Sequence, residues 1–156
     1  MGLDMYLYAK KYISGWSHQD DTSEFDRLKA LYPQVEISEQ SPSMEISFNV
    51  GYWRKANAIH NWFVENVQGG EDNCKPYYVS VDDLVKLKEA CQLELLVPAG
   101  GKGGGVLEPT EGFFFGNAER DDWYYQSLSN TIAIVDKCLH TAKYGQYWSF
   151  EYQSSW

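Results

Sequence analysis

Hydrophobic and polar positions alternate in two stretches of the N-terminal third. Leu3, Met5, Leu7 and Ala9 fall on one side of residues 3–10, and Met44, Ile46, Phe48 and Val50 on one side of residues 44–50. A period of two marks a strand that buries one face. Tyr77-Tyr-Val79 reads as a short strand and Tyr147-Trp-Ser-Phe-Glu-Tyr152 as a closing one. Elsewhere the period is helical. Phe25, Leu28 and Leu31 predict a short helix stopped by Pro33. Ala56, Ile59, Phe63 and Val67 predict a helix starting around Trp53 and ended by Gly69-Gly70. Val81, Leu84, Leu87 and Cys91 follow Ser80, a suitable cap, and Leu128, Ile132, Val135 and Leu139 mark a long helix after Asp121. Strands near both ends with helices between them predict one α+β domain over residues 1–156. Its sheet is mainly antiparallel, with about three principal helices on one side.

Charge sets one of these helices apart. Helix starts favour acids and helix ends favour bases. The helix from Ser80 obeys, with Asp82 and Asp83 before Lys86 and Lys88, and so does the last, with Asp121 and Asp122 before Lys137, His140 and Lys143. The helix read from Trp53 reverses the order, with Arg54 and Lys55 first and Glu65 near its end. A cationic helix start in a chain of net charge -9 is a place for an anion or an acidic neighbour.

Composition narrows the function classes. A pI near 4.7 argues against direct binding of DNA or RNA, which needs a basic surface. Cys74, Cys91 and Cys138 are odd in number and far apart, which fits a reducing compartment and neither a disulfide framework nor a zinc site. No leader-like or membrane-length apolar run is visible, so the expectation is a cytoplasmic protein that binds no membrane.

The candidate chemistry centres on Trp53, Arg54, Lys55, Asn57 and His60, with Tyr52, Trp62 and Phe115 as possible walls. His60 lies three residues beyond Asn57 and seven beyond Trp53, a helical spacing that turns all three toward one side. It reads as a buried hydrogen-bonded histidine, a ligand contact or an acid–base group. No metal-ligand spacing, nucleophile elbow or phosphate-loop pattern accompanies it, so no catalytic residue, metal or cofactor is assigned. Gly100-Gly-Lys-Gly-Gly-Gly105 lacks the Ser or Thr a phosphate loop needs and reads as a flexible turn within the glycine-rich loop 97–107. Gly112-Phe-Phe-Phe-Gly116 cannot place all three rings on one strand face, which leaves a ring for a second face or a ligand.

Met1-Gly-Leu-Asp-Met-Tyr-Leu-Tyr8, Gly51-Tyr-Trp-Arg-Lys-Ala-Asn-Ala-Ile-His60, Gly112-Phe-Phe-Phe-Gly116 and Tyr152-Gln-Ser-Ser-Trp156 together resemble a family of small proteins of tailed bacteriophages and prophages. The resemblance spans nearly the whole chain and carries no activity with it. It implies a phage-encoded protein acting in the host cytoplasm. Phage accessory proteins of this size often block a host protein or sequester a signalling nucleotide. The expected function is therefore sequestration of a small anionic, nucleotide-like ligand without turnover. A protein–protein inhibitor of a host enzyme, acting through an acidic and aromatic surface, is the alternative, and an enzyme acting on a nucleotide derivative is third. The aromatic closing strand and Trp156 further suggest a homodimer, against the alternative that Trp156 folds back on its own domain.

Overall fold

The computed structural model describes residues 2–102, 105–112 and 118–156. In chain order the elements are β1 (Asp4–Ser14), α1 (Thr22–Leu31), β2 (Ser43–Arg54), α2 (Asn57–Asn66), β3 (Tyr77–Val79), α3 (Val81–Glu94), α4 (Asp122–Tyr144) and β4 (Trp148–Ser155). The strands form one antiparallel sheet in the order β2-β1-β4-β3, so the fold is α+β as the pattern predicts. Among the described residues there are four helices, and α1 is the addition to the three principal ones. It lies beside β1 and buries Phe25.

One face of the sheet is dry. Met5, Leu7 and Ala9 of β1 share a core with Phe150 and Tyr152 of β4 and Trp53 of β2, and with Ile59 and Phe63 of α2, Leu84 and Leu87 of α3, and Leu128 and Val135 of α4. The Phe63 ring stacks on Tyr152 at 3.9 Å between centroids and 9° between planes, which seats α2 on β4. At Gly51 the sheet meets α4 so closely that a Cβ there would lie 2.6 Å from Cγ2 of Ile134. A side chain larger than hydrogen would push helix and sheet apart.

Three strands, β1, β2 and β4, run past their predicted bounds, and the excess in β2 matters. β2 runs to Arg54 because a bulge interrupts its pairing with β1: Tyr8 faces Asn49 while Leu7 faces Gly51, leaving Val50 as the extra residue. The bulge shifts the alternation by one. Met44, Ile46 and Phe48 share the helix side with Gly51 and Trp53 beyond it, whereas Tyr52 and Arg54 join the open side. Read as a line, that shift looks like the end of the strand. The helix therefore does not start around Trp53. Lys55 occupies a left-handed turn at φ 55°, Ala56 is the N-cap, and α2 begins at Asn57. Arg54 and Lys55 precede the helix instead of forming its first turn, and the apparent charge reversal dissolves.

β4 lies inside the sheet, between β1 and β3, and does not offer the edge on which a terminal tryptophan would anchor a partner. Trp156 remains half exposed, and its indole N–H donates to Oδ1 of Asp72 at 3.0 Å.

Candidate functional site

Strand alternation divides the sequence-predicted site residues. Trp53 turns inward and is buried, and its indole N–H donates to the Thr131 hydroxyl of α4 at 2.9 Å. Trp62 is equally buried in the core. His60 is buried on α2 with both ring nitrogens engaged, Nδ1 2.7 Å from the Tyr152 hydroxyl and Nε2 3.0 Å from Oδ2 of Asp72. Burial holds the Tyr152 phenol well above its ordinary pKa, so this buried hydroxyl stays protonated. These three side chains support the fold, and the face shared by Trp53, Asn57 and His60 does not form. Phe115 lies outside the described residues.

Tyr52, Arg54, Lys55 and Asn57 turn outward and stay together. Tyr52 donates its hydroxyl to Asp4 at 2.5 Å, and that hydrogen bond raises the phenol pKa. Nε of Arg54 lies 4.0 Å from the same carboxylate. Around them open two adjoining cavities. The larger, about 320 Å³, is lined by Lys55, Asn57, Glu119, Asp121 and Trp123 among others. The smaller, about 280 Å³, is lined by Tyr52, Arg54, Gln126 and Asn130, with Trp53 at its inner side. Ala56, Trp123 and Ser127 belong to both. Trp123, 56% exposed in the first turn of α4, thus stands between a cavity bearing Arg54 and one bearing Lys55.

Local sequence explains how this wall is held. Asp121 caps α4 by accepting from the Tyr124 N–H at 2.8 Å, so one oxygen of this cavity carboxylate is already committed. The starts of α3 and α4 are capped, α3 by a reciprocal Ser80–Asp83 box, whereas the N-cap of α2 is an alanine with no acceptor to offer. The start of α2 faces the larger cavity through Ala56, Asn57, Ala58 and Ile59. Behind Trp123, Tyr124 turns inward and donates to the Leu107 carbonyl at 2.6 Å, and Tyr125 donates to the Val97 carbonyl at 2.7 Å. Arg120 pairs with Glu94 at 2.9 Å and Glu108 at 2.8 Å and donates to the Gly101 carbonyl at 3.0 Å. The glycine-rich connection is thereby tied to the base of α4, and its Pro109 and Thr110 reach the cavity rim.

His60 lines neither cavity. Burial pushes the Cys91 and Cys138 thiols up to about 12, which removes them as nucleophiles. Among the described residues no cluster of three or more His, Cys, Asp or Glu is placed to hold a metal ion, and no helix is long and apolar enough to cross a membrane. The sequence reading missed Trp123. Its signal was available: a tryptophan five residues ahead of Leu128 that falls off the row of inward residues Tyr124, Leu128, Thr131 and Val135.

A comparison of the chain with known protein families, curated proteins and solved structures gives no match.

Proposed function

We propose that the protein binds and sequesters a small anionic, nucleotide-like ligand in the paired cavities around Trp123, without turning it over. One observation carries this reading. Two adjoining cavities share an exposed indole, with a guanidinium lining one and an ammonium lining the other. A nucleotide matches that layout: its base stacks on Trp123, and its phosphate reaches Arg54 or, on the other side, Lys55 and the start of α2. Volumes of about 320 and 280 Å³ suit a ligand of nucleotide size better than a polymer. Glu119 and Asp121 temper the positive charge and favour a ligand with one or two anionic groups and hydrogen-bond donors elsewhere. The resemblance to phage proteins supplies the setting: an accessory protein in the host cytoplasm that withholds a signalling or defence nucleotide.

Native mass spectrometry of protein purified from phage-infected cells tests it, together with melting curves across a panel of linear and cyclic nucleotides. The expected result is a co-purifying ligand and a raised melting temperature, with affinity reduced about tenfold in Arg54→Ala, the loss of one charge-assisted contact. Ligand-free protein and no shift across the panel would overturn it.

A second reading, inhibition of a host protein, draws on the open face of the sheet, where Tyr52 is 47% exposed and Tyr78 68%. Tyrosine-rich patches suit protein contacts, and Asp4, Glu45 and Glu151 on the same face supply its acidic character. A stoichiometric host partner captured equally by wild type and Arg54→Ala would favour it.

A further inference from the structure

We infer that the protein self-associates through the outer edge of β2, with residues 43–49 pairing antiparallel to the same residues of a second copy. The sheet ends very differently on its two sides. The β3 edge is 3 residues long, while β2 is a 12-residue edge strand. Among the described residues no segment pairs with its outer side. Long edge strands are ordinarily guarded by lysine, proline or a covering segment. Between residues 43 and 49 stand Ser-Met-Glu-Ile-Ser-Phe-Asn, with neither residue type and one charge, that of Glu45. Phe48 is 55% exposed on the helix side of this stretch, where it touches Trp148, at 5.8 Å between ring centroids.

The occupant follows from register. Opposed residues in an antiparallel pair point to the same side, so a two-fold axis must match the apolar row with itself. An axis at Ile46 places Ile46 opposite Ile46, Met44 opposite Phe48 and Glu45 opposite Ser47. Moving it to residue 45 sets two glutamates face to face, and moving it to residue 47 drives Met44 against the bulge at Val50. One register therefore satisfies side chains and backbone together, and the partner that provides it is the same chain. Pro42 and the bulge bound the pairing segment at either end. A strand pair this short buries less than the ~800 Å² per partner of a standard interface, which places dissociation at roughly 10 μM. Two copies of net charge -9 repel each other, so added salt tightens the dimer.

Analytical ultracentrifugation from one to a few hundred micromolar (a range of order set by that affinity) tests the idea on wild type and Ile46→Lys, which sets two ammonium groups against each other at the axis. The expected result is a dimer of twice 17.9 kDa that tightens with salt and is weakened about 100-fold in the variant. Ile46→Cys, in a Cys74→Ser background, provides a readout should the lysine variant fail to fold. It forms an interchain disulfide under mild oxidation, whereas Tyr78→Cys on the opposite edge does not. A wild type that stays monomeric, a dimer untouched by Ile46→Lys, or equal cross-linking at 46 and 78 would overturn the inference. None of these outcomes bears on ligand binding at Trp123.

Discussion

Trp53 and Trp123 line the same small cavity and do opposite things there. Trp53 is 3% exposed, its N–H satisfied by Thr131, its ring edge-on to Phe63 at 6.0 Å. Trp123 is 56% exposed at the start of a helix whose inward row passes it by. A tryptophan whose polar atom is already paired in the core is structural, and one left standing between two cavities is available to a ligand. The comparison extends to their neighbours. Trp53, His60 and Trp62 hold the fold, while Tyr52, Arg54, Lys55 and Asn57 stay at the surface of the cavities.

The sharpest way to break this division is Trp53→Ala. It empties a buried site and strips Thr131 of its donor, so it should cost about 3–5 kcal/mol, read as a lower urea midpoint. A loss under about 1 kcal/mol would mean that Trp53 is not the inward partner the packing makes it. His60→Ala follows at about 2 kcal/mol, chiefly because it leaves the buried Tyr152 hydroxyl without its partner, while Asp72 keeps the Trp156 indole N–H. His60 lines neither cavity, so affinity at saturating folded fraction should hold in His60→Ala, whereas Trp53→Ala also removes the inner side of the smaller cavity.

Trp123→Ala reverses the pattern. Urea unfolding should shift by less than about 0.5 kcal/mol, since the ring is more than half exposed. Calorimetry should show affinity for the nucleotide that binds wild type falling by a factor of about 10 to 100, the worth of one stacked base. A variant that binds as well as wild type would remove Trp123 from the site and leave its exposure without a function.

Much of the inward half was legible because burial imposes a period. Leu84, Leu87 and Cys91, or Leu128 and Val135, declare their helices in one dimension, and Ser80 marks a helix start by its residue type. The junction at residues 50–57 was not legible. One bulged residue moved Trp53 from a supposed helix face to the end of a strand, and a left-handed Lys55 then absorbed the turn. Nothing in a linear pattern distinguishes such a shift from the end of a strand. Pairing order is likewise a long-range property, so β4 read as a closing strand although β3 lies outside it. Arg54 and Lys55 were legible through their unusual charge and Asn57 through its spacing to His60, whereas Trp123 comes to them from almost 70 residues away.

Alkaline titration sharpens the same contrast. Burial raises the Cys91 thiol from 9.0 to about 12. Above pH 9 the unfolded thiol ionises while the folded one keeps its proton, so the folded state binds more protons and stability falls as pH rises toward 12. Stability should be level up to pH 8.5 and then decline, with a slope shallower in Cys91→Ala by about 1.4 kcal/mol per pH unit. An unchanged slope in that variant would place the alkaline sensitivity on other buried groups, Tyr124 among them, whose phenol is raised chiefly by burial.

The smallest expected effect is the most telling about Lys55. Its φ of 55° is a conformation that costs a side-chain-bearing residue about 1 kcal/mol and glycine almost nothing. Its N–H is already used, donating to the Leu3 carbonyl at 2.8 Å, and glycine keeps that bond. Glycine also loses more freedom on folding, which offsets part of the gain. Lys55→Gly should therefore leave stability within about 0.5 kcal/mol of wild type, or slightly above it. Ligand affinity should nevertheless drop by about three- to tenfold as the ammonium leaves the larger cavity. Strain kept at a site and repaid by binding gives that split between melting temperature and affinity. If the glycine variant were to melt higher and bind equally well, Lys55 would have no part in the ligand, and Arg54 alone would supply the positive charge of the site.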